Sequence, residues 1–264
     1  MVYEYIPSSV IDLYLNGFVK YNDVRNVIAE RKKIAPSEIL WVDPDSITRS
    51  ITWNELGERG DLQRPPHFDK SKYKIAGTVI GGEWDLLERR FQDSVVHRSF
   101  VERFERGRPW KETDLYIDVT RGLSDGERWW RCSTRECFER RCEELDELYD
   151  AIEHEGYKTQ RELLSRPDTT LERRGARNRG PYQILKSEIA VNVGRNGELI
   201  FQDGRNRLSI AKILGLEELP VVILVRHEEW QRLRDGIVEG RIRRSELPDG
   251  LRSHPDLPQN MYRR

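Results

Sequence analysis

Apolar and polar positions along this chain follow three patterns, and each predicts a different element. At 189, 191 and 193 apolar residues alternate with polar neighbours, as on a half-buried strand. Arg195-Asn196-Gly197 follows as a turn, because Asn and Gly tolerate positive φ. Residues 198–202 then return as the second strand of a hairpin. A helix over 208–214 comes next, with Gly215 as its C-terminal cap. The β-branched run 221–225 has the character of an interior strand. At 138, 142, 145, 149 and 152 the spacing becomes that of one buried helical face. This predicts a helix over 134–154, opened by a Ser133/Glu136 capping box and stopped by Gly156. Glu139, Arg140, Glu143, Glu147 and Asp150 form its solvated side.

Elsewhere the pattern is shorter in range. Residues 10–30 carry mixed helical spacing interrupted by Gly17. Residues 39–42 form a short strand ended by Asp43-Pro44-Asp45, and 47–53 a second extended piece. With two glycines, Pro65-Pro66 and many charges, 57–72 has the composition of a linker. A strand over 73–80 runs into Gly81-Gly82-Glu83-Trp84-Asp85. Helices are expected over 86–106, closed by Gly107, and over 109–121. Residues 167–181 form a basic loop, either a solvated surface or a lid over phosphates.

Composition narrows the function classes. The 264 residues are 37% hydrophobic and 34% charged, with seven Trp and ten Tyr, which suits a globular chain. A net charge of −1 supplies no bulk attraction to DNA or anionic membrane. The longest apolar run, 219–225, is too short to span a bilayer, and no signal peptide is legible, so a cytoplasmic protein is expected. Cys132, Cys137 and Cys142 recur every five residues. On a helix each such step turns about 140°, so they are expected as reduced thiols, Cys142 in a helical core. There is no Gly-x-Ser-x-Gly elbow and no His-Glu-x-x-His.

The chemistry concentrates at Asp203-Gly204-Arg205-Asn206-Arg207. A strand ending in Gly permits close backbone approach, and the helix start beyond it presents amides with positive dipole character. Arg205 and Arg207 stand at that entrance. Asp203 has three open roles: metal ligand, partner of an arginine, or base. Together these groups describe a site for a phosphate or another oxyanion.

The order Leu-Ile-Phe-Gln-Asp-Gly-Arg-Asn-Arg-Leu-Ser-Ile-Ala-Lys-Ile-Leu-Gly, followed by Leu-Pro-Val-Val-Ile, resembles the ParB/sulfiredoxin superfamily over residues 186–226. The resemblance implies an α+β (mixed α/β) fold with a ParB/sulfiredoxin-like core and an N-terminal, largely helical elaboration. With the pattern read above, the expected organisation is 1–60 as an N-terminal α/β segment, 73–156 as a mainly helical region, 157–240 as the ParB/sulfiredoxin-like domain and 241–264 as a polar tail. It implies a nucleotide or other phosphorylated small molecule as partner, with Mg²⁺ and a nucleoside triphosphate as cofactors. Gly204, Arg205, Asn206 and Arg207 map to the family's phosphate-holding turn. Gln160 and Arg161 are the candidates for its upstream polar-plus-arginine motif. Asp203 and Glu188 are the candidate catalytic residues, Glu188 binding Mg²⁺ if it faces the turn and otherwise lying on a strand edge.

Departures from the family restrict the chemistry. Sulfiredoxins carry a catalytic Cys where Arg205 stands, and the family's free-serine kinases carry His where Arg205 and Asn206 stand. Partition proteins add a DNA-binding domain after this module, whereas about forty residues follow it here. The expected function is therefore an Mg²⁺-dependent NTPase or small-molecule kinase. The alternative is a non-catalytic nucleotide-gated or nucleic-acid-binding module. Two other features are weighed beside it. Gly81–Asp85 offers amides and a Trp face at an element boundary, and His227 joins the site only if its strand end faces Asp203.

Overall fold

A computed structural model describes residues 39–61, 78–165 and 188–258, together with Leu13 and Gly17. The strands are β1 (Ile39–Val42), β2 (Arg49–Ser50), β3 (Thr78–Ile80), β4 (Ile189–Val193), β5 (Leu199–Asp203) and β6 (Leu219–His227). The α-helices of the described residues are α1 (Trp53–Arg59), α2 (Val95–Phe100), α3 (Asp114–Ser124), α4 (Arg135–Glu155), α5 (Gln160–Ser165), α6 (Arg205–Ile213), α7 (Glu228–Val238) and α8 (Asp249–Arg252). The fold is α+β. Among the described residues no helix is long and apolar enough to cross a membrane.

Every residue of β6 is buried, as its β-branched run requires. The sheet is built around it in the order β1-β6-β4-β5-β2. One side of β6 runs parallel to β4. The other is shared: Leu219–Val222 pair antiparallel with β1, and Val225–His227 pair parallel with β3. The β4–β5 hairpin closes through Gly197, at φ 84°.

Alternation along the strands sends side chains into two cores. Val191, Val193, Val221 and Ile223 pack with Leu208 and Ala211 of α6 on one face. Ala190, Val222 and Leu224 pack with Ile51, Leu56, Ile80 and Trp84 on the other. A third core gathers Phe100, Trp110, Phe138 and Leu145 from the helical layer and docks on α6 through Ile210.

Several expectations are corrected. The sheet crosses the segment boundaries drawn from sequence, since β1, β2 and β3 all pair with strands of the 157–240 region. Within 47–53 only Arg49 and Ser50 are strand, because Thr52 and Glu55 form a capping box that starts α1 at Trp53. That helix also takes Gly57 out of the expected linker. The helix expected from 86 begins at Val95, capped by Ser94. Ahead of it the chain is held extended by long-range bonds, Ser50 N–H to Arg89 O (2.9 Å) and Phe91 N–H to Thr48 O (2.8 Å). The cap of α4 is Thr134, whose hydroxyl accepts from Cys137 N–H, and not Ser133.

Cys132 and Cys137 are joined as a disulfide, and Cys142 is the buried free thiol. Helical spacing does not govern the first pair, because Cys132 precedes the helix on a turn where Trp130 and Arg131 take positive φ. Nor is 241–264 simply a polar tail, since Leu247, Asp256 and Leu257 are buried. Apart from Leu13 and Gly17, residues 10–30 lie outside the described residues, as do residues 62–77 and the basic loop at 167–181.

Candidate functional site

The end of β5 and the start of α6 are shaped by one backbone requirement. Gly204 adopts φ 94° and ψ 28°, a left-handed conformation that glycine enters without steric cost. A Cβ placed there would meet the Ile189 Cα at 3.0 Å. No side chain caps α6, so its first-turn amides, which lack intrahelical acceptors, point out of the helix. Asp203 Oδ1 accepts the Gly204 N–H at 2.9 Å, which folds the carboxylate onto the turn.

The two arginines of the turn part company. Arg205 is exposed. The protein mass around its guanidinium still removes enough water to lower its pKa from the ordinary value, an effect that Asp203 opposes and Arg89 reinforces. Arg89 is itself paired with Glu55 at 2.5 Å. Arg207 turns inward with a side chain only 12% exposed, donates to the Tyr157 hydroxyl at 3.0 Å, and lies 3.8 Å from Glu188 Oε2. Asn206 is half-buried between them.

Glu188 is 1% exposed and accepts the Gln160 backbone N–H at 2.5 Å. Gln160 itself is buried. It opens α5 through a Thr159/Glu162 capping box: Thr159 Oγ1 accepts from Glu162 N–H, and Glu162 Oε2 accepts from Thr159 N–H. The sequence motif Thr-x-x-Glu carries this signal, although the segment also reads as a helix exit and loop. Gln160, Glu188 and Arg207 are thus brought together beside the turn. Arg161 follows in α5, and its side chain lies outside the described residues, as do Arg173, Arg174, Arg177 and Arg179.

His227 belongs to the opposite end of the sheet. β5 runs antiparallel to β4 while β6 runs parallel to it, so Asp203 and His227 finish at opposite edges. There His227 Nδ1 accepts Glu229 N–H at 3.2 Å, which puts the ring hydrogen on Nε2, donated to Gly82 O at 3.1 Å. Beside it Asp85, 3% exposed, accepts from Arg195 N–H (2.7 Å), Nε (3.0 Å) and Nη2 (2.8 Å). Trp84 is fully buried and donates to Ile80 O. The Gly81–Asp85 loop is therefore a clamp on the β4–β5 turn. Its partner Arg195 is invisible to local spacing, being 110 residues away.

Burial alone would raise the Asp85 carboxyl, but the Arg195 hydrogen bonds outweigh it and hold the group below the ordinary carboxylate range. A depressed folded-state value contributes stability above the unfolded value of about 4 and loses it as pH falls through the folded one. Asp85→Asn removes that contribution. Urea denaturation between pH 6 and pH 2, run on both proteins, shows a wild-type advantage that shrinks on the acid side. A constant difference across the range would contradict the assignment.

Comparison with protein-family models, with curated proteins and with solved structures found no match to this chain.

Proposed function

We propose that the chain is a ParB/sulfiredoxin-like nucleotide-binding protein that holds phosphate at the start of α6. The observation that carries this reading is the uncapped helix start behind a left-handed Gly204, with Arg205 exposed on its first turn. Amides and a guanidinium at a helix N-terminus are complementary to phosphate oxygens. Arg205 contacts the phosphates and Asn206 supplies its amide. Arg207 is held from inside by Tyr157 and Glu188.

Among the described residues no group of three or more His, Cys, Asp or Glu is placed to hold a metal ion. Mg²⁺ does not need such a cage, since it commonly arrives with the phosphates and takes one or two protein carboxylates. Asp203 fits that use. In the enzyme reading Asp203 would hold the phosphate-bound Mg²⁺ or take the proton of the attacking water or hydroxyl, with the nucleoside diphosphate as leaving group. The second reading, a non-catalytic nucleotide-gated or nucleic-acid-binding module, is favoured by Glu188, which is engaged by Gln160 and Arg207 in the interior. The nucleotide reading expects a cytoplasmic chain, whereas the Cys132–Cys137 disulfide favours an oxidising compartment, and thiol titration of the native protein decides between them.

Nucleoside triphosphates with Mg²⁺ are expected to raise the melting temperature, by an amount equivalent to about 2.7 kcal/mol at a hundredfold excess over Kd. Arg205→Ala abolishes the shift and leaves the unliganded protein within about 0.5 kcal/mol of wild type. A screen of nucleotides with and without Mg²⁺ that moves nothing ends the nucleotide reading. Turnover lost in Asp203→Asn with binding retained separates the enzyme from the module.

A further inference from the structure

Where the sheet meets the helical layer, a cleft of about 880 Å³ opens between the 3-10 turn Pro44–Ser46, residues 88–92, α2 and the last turn of α6. Its apolar walls include Ile47, Phe91 and Ile213. It lies at the other end of α6 from Gly204, about 12 Å along the axis at 1.5 Å per residue.

His97 of α2 lines this cleft. It is 9% exposed, its Nδ1 is sealed from solvent without a hydrogen-bond partner, and its ring packs on Phe91 at 5.3 Å between centroids. Buried polar atoms are ordinarily satisfied, so an orphan on a residue that lines a cavity marks a ring whose bonding a rearrangement on ligand binding would complete. Burial, and then the Lys212 charge, holds the imidazole below the usual histidine range.

Two cations face the same space. Lys212 keeps its side chain 13% exposed, and its counter-ion is Asp45, 3.3 Å away but 78% exposed and thus a weak surface partner. Arg90 is exposed and makes no side-chain hydrogen bond or ion pair among the described residues. The third cation, Arg49, is already neutralised by Glu198 and by the carbonyls of Asp85 and Leu87. The carboxylates of Asp45, Glu88 and Glu105 stand exposed at the rim, where water and salt screen them. Lys212 is thus the least exposed of the three cations, while Arg90 stands exposed like the carboxylates.

We propose that this cleft binds a small molecule by an anionic head, a carboxylate or a phosphate, gripped by Lys212 and Arg90 with the His97 ring as hydrogen-bond partner. The site is separate from the α6 start and does not depend on it.

Imidazole nitrogen spectra of the ¹⁵N-labelled full chain test this, with the His97 signals assigned by their loss in His97→Asn. Titration with inorganic phosphate and, separately, with succinate moves the His97 signals along a saturating curve. A response to phosphate alone identifies a phosphate head, and a response to succinate alone a carboxylate head. Lys212→Gln or Arg90→Ala weakens the apparent affinity about tenfold or more, as loss of one charge-assisted contact requires. Should Lys212→Gln fail to fold, the exposed Arg90→Ala decides. No saturating movement with either probe, movement only at the Arg205 amide, or curves unchanged in both variants overturns the proposal.

Discussion

Replacing Asp256 by alanine lowers the free energy of unfolding by about 3–5 kcal/mol, read as a drop in the urea midpoint at unchanged slope. The magnitude follows from what the carboxylate serves. Its side chain is 2% exposed and accepts from Arg226 Nε at 2.8 Å, Arg226 Nη2 at 2.5 Å and Trp230 Nε1 at 2.7 Å. Arg226 is the penultimate residue of β6, with a side chain only 4% exposed. Removing Asp256 strands that guanidinium in the interior without its bidentate partner, and it also leaves the buried indole N–H unmet. Asp256→Asn keeps the shape but forfeits the charge, so its loss falls between wild type and alanine. An alanine variant within about 1 kcal/mol of wild type would show that this network contributes little.

The second large effect is at Gly204. Alanine there must adopt φ 94° and place its Cβ 3.0 Å from both Cα and Cγ1 of Ile189. Left-handed strain of about 1–3 kcal/mol adds to crowding of similar size. Gly215 is the internal control, because it too has positive φ, 62°, but nothing lies within 4 Å of the position its Cβ would take. Gly215→Ala should cost about 1 kcal/mol, and Gly204→Ala about 2–6 kcal/mol. Loss of the nucleotide-dependent thermal shift in Gly204→Ala alone ties the turn to ligand binding. Equal penalties at the two positions would mean that backbone conformation, and not the approach of Ile189, sets the requirement.

Elements whose information is local were legible in the sequence. β1 and the β4–β5 hairpin match their alternating or apolar runs, and α4 matches its heptad-like stripe to within a residue. β6 extends the run 221–225 at both ends, because Leu219 and His227 have strand partners supplied by distant segments. The elements that were misread had their structure decided from afar. Residues 87–91 lose their expected helix to backbone bonds with Thr48 and Ser50. The candidate site divides the same way. The turn at Gly204 was visible as a pattern, whereas the inward rotation of Arg207 depends on Tyr157 and Glu188, which no local spacing connects. Asp256 is the extreme case: in a stretch of Pro, Ser and His it looks like solvent-facing chain, and only the buried Arg226 gives it a role.

The shared edge of β6 bears on the order of events during synthesis. The segments that flank it on that side, Ile39–Val42 and Thr78–Ile80, leave the ribosome long before Leu219–His227 is made. Until then they have no strand to align on, and their pairing carries the high sequence separation that slows folding. The sheet is therefore expected to assemble only after the last of its described strands has emerged. In the interval the nascent chain presents unpaired apolar edges, the condition under which holding chaperones engage.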